Sequence, residues 1–122
     1  MDKKVLITGG TGFAGSHLVE HLLEKGGFEI HVTSFGSAPT SVSALLPADR
    51  IHKLDITNEE ETAALVKELQ PDHIYHLAAI ATVADSFTSP ARSIVTNTLL
   101  QISILEAIRK HAPMACTLII GS

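Results

Sequence analysis

A chain of 122 residues closes one modest hydrophobic core and leaves no length for a separate substrate-binding lobe. With 45% hydrophobic and 18% charged residues it has the composition of an ordinary folded α/β domain, and a net charge of −4 with its nine Lys and Arg dispersed excludes a basic nucleic-acid surface. Cys116 stands alone and the apolar run Val5-Leu6-Ile7 is too short for a signal or membrane segment, so a reducing cytoplasmic setting without disulfides, cysteine-based zinc or a membrane partner is expected.

Strand and helix signals alternate from the start, the pattern of parallel strands with crossover helices on both sheet faces. Lys4 to Thr8 predicts a buried strand, and the glycine-rich turn after it opens a helix carrying Ala14, Leu18, Val19, Leu22 and Leu23, stopped by Gly26-Gly27. Glu29 to Ser34 predicts the second strand, and the Ser/Pro/Gly-rich stretch from Phe35 to Pro47 holds at most a short helical turn. Ile51 to Leu54 is the third strand, after which Thr57 and Glu60 have capping-box spacing at the head of a helix with Leu65, Val66 and Leu69 inward, ended by Pro71. Asp72 to Ala79 is the fourth strand, Ala91 to His111 a long helix, and Thr117 to Gly121 a fifth strand. The long helix is apolar on two sides, with Ile94, Val95, Ile102, Leu105 and Ile108 on one and Leu100, Ile104 and Ala107 on the other. One stripe suffices against a sheet, so the second requires another helix or another subunit.

The chemistry is concentrated in Ile7-Thr8-Gly9-Gly10-Thr11-Gly12-Phe13-Ala14-Gly15. Gly9 permits the tight bend, Gly12 lets backbone approach a pyrophosphate, and Gly15 lets the helix pack close to the strand. The helix N-terminus then offers free N–H groups and partial positive charge to phosphates. Three glycines alone are weak evidence, but here they follow a buried strand and open an amphipathic helix within a βα alternation, which makes them a dinucleotide cradle.

The spacing at 9, 12 and 15 is GxxGxxG, and with Thr8 it resembles the extended short-chain dehydrogenase/reductase family of nucleotide-sugar epimerases, dehydratases and reductases. The likeness runs through Leu54-Asp55-Ile56-Thr57, His76-Leu77-Ala78-Ala79, Val83, Ser86, Pro90 and Asn97 to Gly121-Ser122. It implies an NAD(P)-binding Rossmann domain over residues 1–122, a doubly wound parallel sheet whose first five strands run in the order 3-2-1-4-5. In cofactor binding it implies Gly9, Thr11, Gly12, Phe13, Ala14 and Gly15 at the phosphates. Asp55 would accept from the adenine amino group, with the Ile56 backbone beside it, and Leu77, Ala78 and Ala79 would line the nicotinamide side. It further implies Asn97 as the active-site Asn of a proton relay and Ser122 as the hydroxyl that orients substrate. The plain alternatives are a strand-ending loop acid for Asp55, small residues at a strand end for Ala78 and Ala79, and a solvated helix Asn for Asn97.

Within the family, His76 to Asn97 with Ser86-Phe87 and the terminal Ile-Gly-Ser look most like the GDP-mannose 4,6-dehydratases and GDP-4-keto-6-deoxymannose reductases, which implies a nucleotide-sugar substrate. A UDP- or dTDP-sugar epimerase or dehydratase is the alternative. NAD users commonly carry Asp or Glu at the end of the second strand; here Ser34 removes the repulsion of a 2′-phosphate and leans the cofactor to NADP, with NAD possible and Phe35 where an Arg often follows. The family's Tyr and Lys, spaced YxxxK beyond the fifth strand, do not occur, and Tyr75 has no Lys at that spacing. The chain therefore reads as a truncated product or fragment with the substrate lobe absent and no turnover of its own. A non-catalytic NADP sensor is the alternative of another class. No metal site is expected, since His73 and His76 fall on opposite faces of a strand and His17 with His21 lacks a third ligand. The second stripe of the 91–111 helix implies a homodimer, the family's usual mode.

Overall fold

The computed structural model describes residues 2–10, 13–34, 41–56, 58–77 and 90–119, a few of them, Phe13, Ile94 and Asn97 included, by backbone alone. Five strands, β1 (Lys3–Thr8), β2 (Phe28–Ser34), β3 (Ile51–Lys53), β4 (His73–His76) and β5 (Cys116–Ile119), form one parallel sheet in the order β3-β2-β1-β4-β5. Helices α1 (Phe13–Lys25), α2 (Ser41–Leu45), α3 (Glu59–Leu69) and α4 (Pro90–His111) connect the strands, with a short 3₁₀ turn at Ala48–Arg50. Parallel strands with crossover helices are what the alternation predicts, and the order is that of the doubly wound Rossmann-type sheet that the resemblance implies.

The pleat divides the core in two. Val5 and Ile7 of β1, with Ile30 and Val32 of β2, meet Val19 and Leu22 of α1 and Val42 of α2. Leu6 of β1 and Ile74 of β4 point the other way and pack on Leu65, Val66 and Leu69 of α3 and Ile104, Ala107 and Ile108 of α4. A strand covered on both faces has no polar side to show, and Val5 to Thr8 are accordingly all buried.

Local chemistry sets the helix ends. Gly26 and Gly27 take φ of +76° and +84°, and Gly26 N–H closes the last turn of α1 on Leu22 O. The N-cap of α3 is Asn58, whose Oδ1 accepts from Glu61 N–H at 3.1 Å, one residue later than the Thr57–Glu60 box expected from sequence; Thr57 itself lies outside the described residues. Asn58 and Glu61 have the same spacing, and starting there brings three acids, Glu59 to Glu61, into the positive end of the helix dipole. At the other end Gln70 adopts the left-handed region and its Nε2 donates to His111 O at 2.6 Å, tying α3 to the end of α4.

Two sequence expectations about faces change. On α1, Ala14 and Leu23 are exposed, and the buried line runs through Gly15, Val19 and Leu22. On α4, Ile108 joins Leu100, Ser103, Ile104 and Ala107 on the packed side, while Val95, Leu99, Ile102 and Leu105 stand outside at 43–57% exposure. The two stripes lie so close on one cylinder that periodicity could not say which side the neighbouring α3 would claim. The side chain of Ile94 lies outside the described residues. The fourth strand is observed over His73–His76; Ala78 and Ala79, which the expected strand included, lie outside the described residues. Among the described residues no helix is long and apolar enough to cross a membrane.

Candidate functional site

In the order β3-β2-β1-β4-β5 the chain leaves β1 toward β2 on one side and later returns to β4 on the other. Open α/β sheets bind ligands at the carboxyl ends of the strands beside such a reversal, and the turn after β1 sits there.

The turn is gripped from both neighbouring strands. Gly9 has φ of +68°, a conformation that strains any side chain, and its N–H donates to Thr33 Oγ1 of β2 at 3.1 Å. Gly10 leans on the opposite face of β2, where an added Cβ would stand 2.4 Å from Val32 Cγ1. From the other side, Leu77 N–H donates to Thr8 O at 3.2 Å and to Thr8 Oγ1 at 3.1 Å, and the Thr8 hydroxyl shares a 2.7 Å hydrogen bond with His76 Nδ1. Burial pushes the His76 pKa below the ordinary histidine value, which keeps the ring neutral; its Nε2 is buried without a partner. Sequence reasoning missed Thr33, Gly10 and the Thr8–His76 bond, because each needs the register of β1 against β2 or β4.

Gly15 brings α1 against the turn so closely that a Cβ there would lie 2.5 Å from Gly9 O and 2.6 Å from Gly10 Cα. The amino end of α1, where the first N–H groups of a helix have no acceptor within the helix itself, is thus held directly after the turn. Thr11 and Gly12 lie outside the described residues, Phe13 opens α1 with its side chain outside them, and Ala14 is exposed in the first turn. A turn that admits no Cβ at Gly10 or Gly15, leading into a helix amino end at the sheet's reversal, fits a pyrophosphate.

Ser34 ends β2, buried, with Lys53 of β3 as its register partner and its carbonyl accepting from Leu54 N–H. Asp55 is exposed just beyond β3 and Ile56 is buried beside it, so both stand at the carboxyl edge with Ser34. Leu77 is half-buried past β4 on that edge, while Ala78, Ala79 and Ser122 lie outside the described residues, as does the side chain of Asn97. The structure thus brings Gly9, Gly15, Ser34, Asp55, Ile56 and Leu77 to one edge of the sheet.

Of the histidines, His73 and His76 do fall on opposite faces, His73 with Tyr75 and His76 with Ile74. The pair that meets is another one. His31 Nδ1 and His52 Nε2 lie 3.0 Å apart, and His31 Nε2 lies 2.8 Å from Glu29 Oε2. The ring centroids are 5.2 Å apart, the separation of two rings set end to end, so the two nitrogens point at each other across one hydrogen bond. Burial, then the neighbouring His31, lowers the His52 pKa, and the His31 bond lowers that of Glu29.

Residues 5–122 match the profile of the NAD dependent epimerase/dehydratase family. A GDP-mannose 4,6-dehydratase of Yersinia enterocolitica is 38% identical over 117 residues, covering 88% of this chain and 31% of its own length. A dTDP-glucose 4,6-dehydratase of Salmonella typhimurium is 34% identical, with 88% of this chain and 31% of its own length covered. Among solved structures, the UDP-glucose 4-epimerase of Thermus thermophilus in complex with NAD superposes with a TM-score of 0.76 at 33% identity, over 88% of this chain and 34% of the epimerase. The chain spans about a third of the length of these relatives. A glycine turn wedged between β1, β2 and α1 at the reversal of a 3-2-1-4-5 sheet is what the family match leads one to find, and the chain belongs to the NAD dependent epimerase/dehydratase family.

Proposed function

We propose that this chain is the dinucleotide-binding part of a nucleotide-sugar dehydratase or reductase acting on a GDP-mannose-type substrate. The observation that carries the cofactor half is the turn at Gly9 and Gly10, which excludes a Cβ and delivers the amino end of α1 to the edge where Ser34 and Asp55 stand. The 38% identity to a GDP-mannose 4,6-dehydratase over most of the chain supports the sugar-nucleotide class, with the dTDP and UDP enzymes as the second reading because they match 88% of the chain at 34% and 33% identity.

In this reading the turn and the first turn of α1 hold the pyrophosphate, Asp55 and Ile56 hold the adenine, and Leu77, Ala78 and Ala79 lie along the nicotinamide side. Bound there, the nicotinamide supplies hydride transfer at a sugar carbon. Asn97 and Ser122 support the proton relay and orient the substrate. Ser34 presents no carboxylate to a 2′-phosphate, which favours NADP over NAD. The exposed stripe Val95, Leu99, Ile102 and Leu105 of α4 is the surface through which two copies pair.

The complete reading frame, incubated separately with GDP-mannose, with GDP-4-keto-6-deoxymannose plus NADPH, with dTDP-glucose and with UDP-glucose and followed by chromatography of the sugar nucleotides, tests the substrate assignment. Turnover of a GDP-linked sugar alone is the expected result. Turnover of dTDP-glucose or UDP-glucose with none of either GDP-linked sugar overturns it.

A further inference from the structure

Among the described lysines and arginines, one stands uncommitted at the edge where the cofactor reading places its adenosine. Lys4 and Arg50 lie against Glu29, Arg109 and Lys110 against Glu106, and Lys25 over the Phe28 ring, while Lys3 opens β1 and Lys67 lies in the last turn of α3, both away from the carboxyl edge. Lys53 is exposed at the last position of β3 and makes no ion pair among the described residues. Its Cα is paired in register with Ser34, and residues paired in a parallel ladder project to the same face. The same alternation puts Ile51, two residues earlier, with Val32 in the cluster on the α1 side, so Lys53 and Ser34 share the face on which Gly10 of the turn leans against Val32.

The end of β2 is where dinucleotide enzymes read the 2′ substituent of the adenosine ribose: a carboxylate accepts from a hydroxyl, a cation takes a phosphate. Ser34 supplies no charge, and the neighbouring strand supplies a positive one. Strands stand about 4.8 Å apart, within the span of a lysine side chain. We infer that Lys53 is the specificity-determining cation for a 2′-phosphorylated adenosine ligand, taking over from β3 the role that an arginine after β2 fills elsewhere. The inference rests on the dinucleotide reading above and adds to it the residue that selects NADP.

The test is calorimetric titration of the full chain and its Lys53→Gln and Lys53→Arg variants with NADP, NAD, 2′,5′-ADP and ADP. Lys53 is exposed, and thermal melts verify that the variants remain folded. Lys53→Gln is expected to weaken NADP and 2′,5′-ADP roughly tenfold, the loss of one charge-assisted hydrogen bond, while NAD and ADP change less than twofold and Lys53→Arg keeps the preference. Added salt should weaken NADP binding to the wild type more steeply than binding to Lys53→Gln. Equal effects of Lys53→Gln on phosphorylated and unphosphorylated ligands, or none on either, overturn the assignment. Wild-type protein that binds none of the four overturns the dinucleotide reading and Lys53 with it, and that failure is visible before any variant is made.

Discussion

Replacing Gly15 by alanine sets two local effects against each other, and the structure decides which is larger. Alanine is the better helix former by at most about 1 kcal/mol, so propensity alone predicts a more stable protein. The new Cβ, however, falls 2.5 Å from Gly9 O, and relief to 3.0 Å requires at least 0.5 Å of movement. The obstacles are backbone, so α1 must lift as a body off Val5, Ile7 and Ile30. Burial of Val19 and Leu22 contributes about 1.5–3 kcal/mol each, and a gap of roughly half an ångström forfeits about a quarter of their contact, near 1 kcal/mol. Residual crowding adds about 1–3 kcal/mol, which leaves a net loss of about 1–3 kcal/mol after the propensity gain. In urea that lowers the unfolding midpoint by about 1 M. Gly10→Ala supplies a control, since its Cβ meets only the Val32 side chain, Cγ1 at 2.4 Å and Cβ at 2.5 Å, before any backbone closer than 3.3 Å. Val32→Gly should therefore absorb part of the Gly10→Ala loss and none of the Gly15→Ala loss in a double-mutant cycle. A Gly15→Ala protein as stable as wild type would refute the close approach.

Two further outcomes follow from burial and charge. His52 and His76 both have folded pKa values below the ordinary 6.5, His52 through burial and His31 with Glu68 and Asp49 opposing, His76 through burial alone, so the unfolded chain takes up their protons first. Stability should be complete above about pH 6.5 and fall as the pH drops from there through the folded values, by at most about 1.4 kcal/mol per pH unit for each histidine; urea midpoints unchanged between pH 7.5 and 5.5 would contradict this. On α4, Ile102→Glu should leave the fold intact and give a monomer by light scattering in the full-length protein, whereas Leu100→Glu, 8% exposed, should cost about 3 kcal/mol or more of folding stability; a dimer that survives Ile102→Glu removes the helix-pairing proposal.

Much of the fold was legible because its signals are local. Alternating apolar runs gave five strands, Gly26-Gly27 and Pro71 marked two helix ends, and Gly9 and Gly15 announced the turn, whose demands come from backbone geometry between residues six apart. Asn58 was passed over for Thr57 because both begin an acceptable capping pattern, and only the docking of α3, with Thr62 buried and donating to Ile56 O and Asn58 O, selects between them.

What sequence could not contain is register. Thr33 under Gly9, His76 on Thr8, His31 end to end with His52, and Lys53 beside Ser34 all join residues from different strands, and a shift of one residue in any pairing would turn each to the opposite face. The glycine turn was written in the chain itself, as conformations that only a missing side chain allows. Its surroundings were decided by how the strands lie against one another, because a pleated sheet chooses the neighbours of every side chain only when it forms.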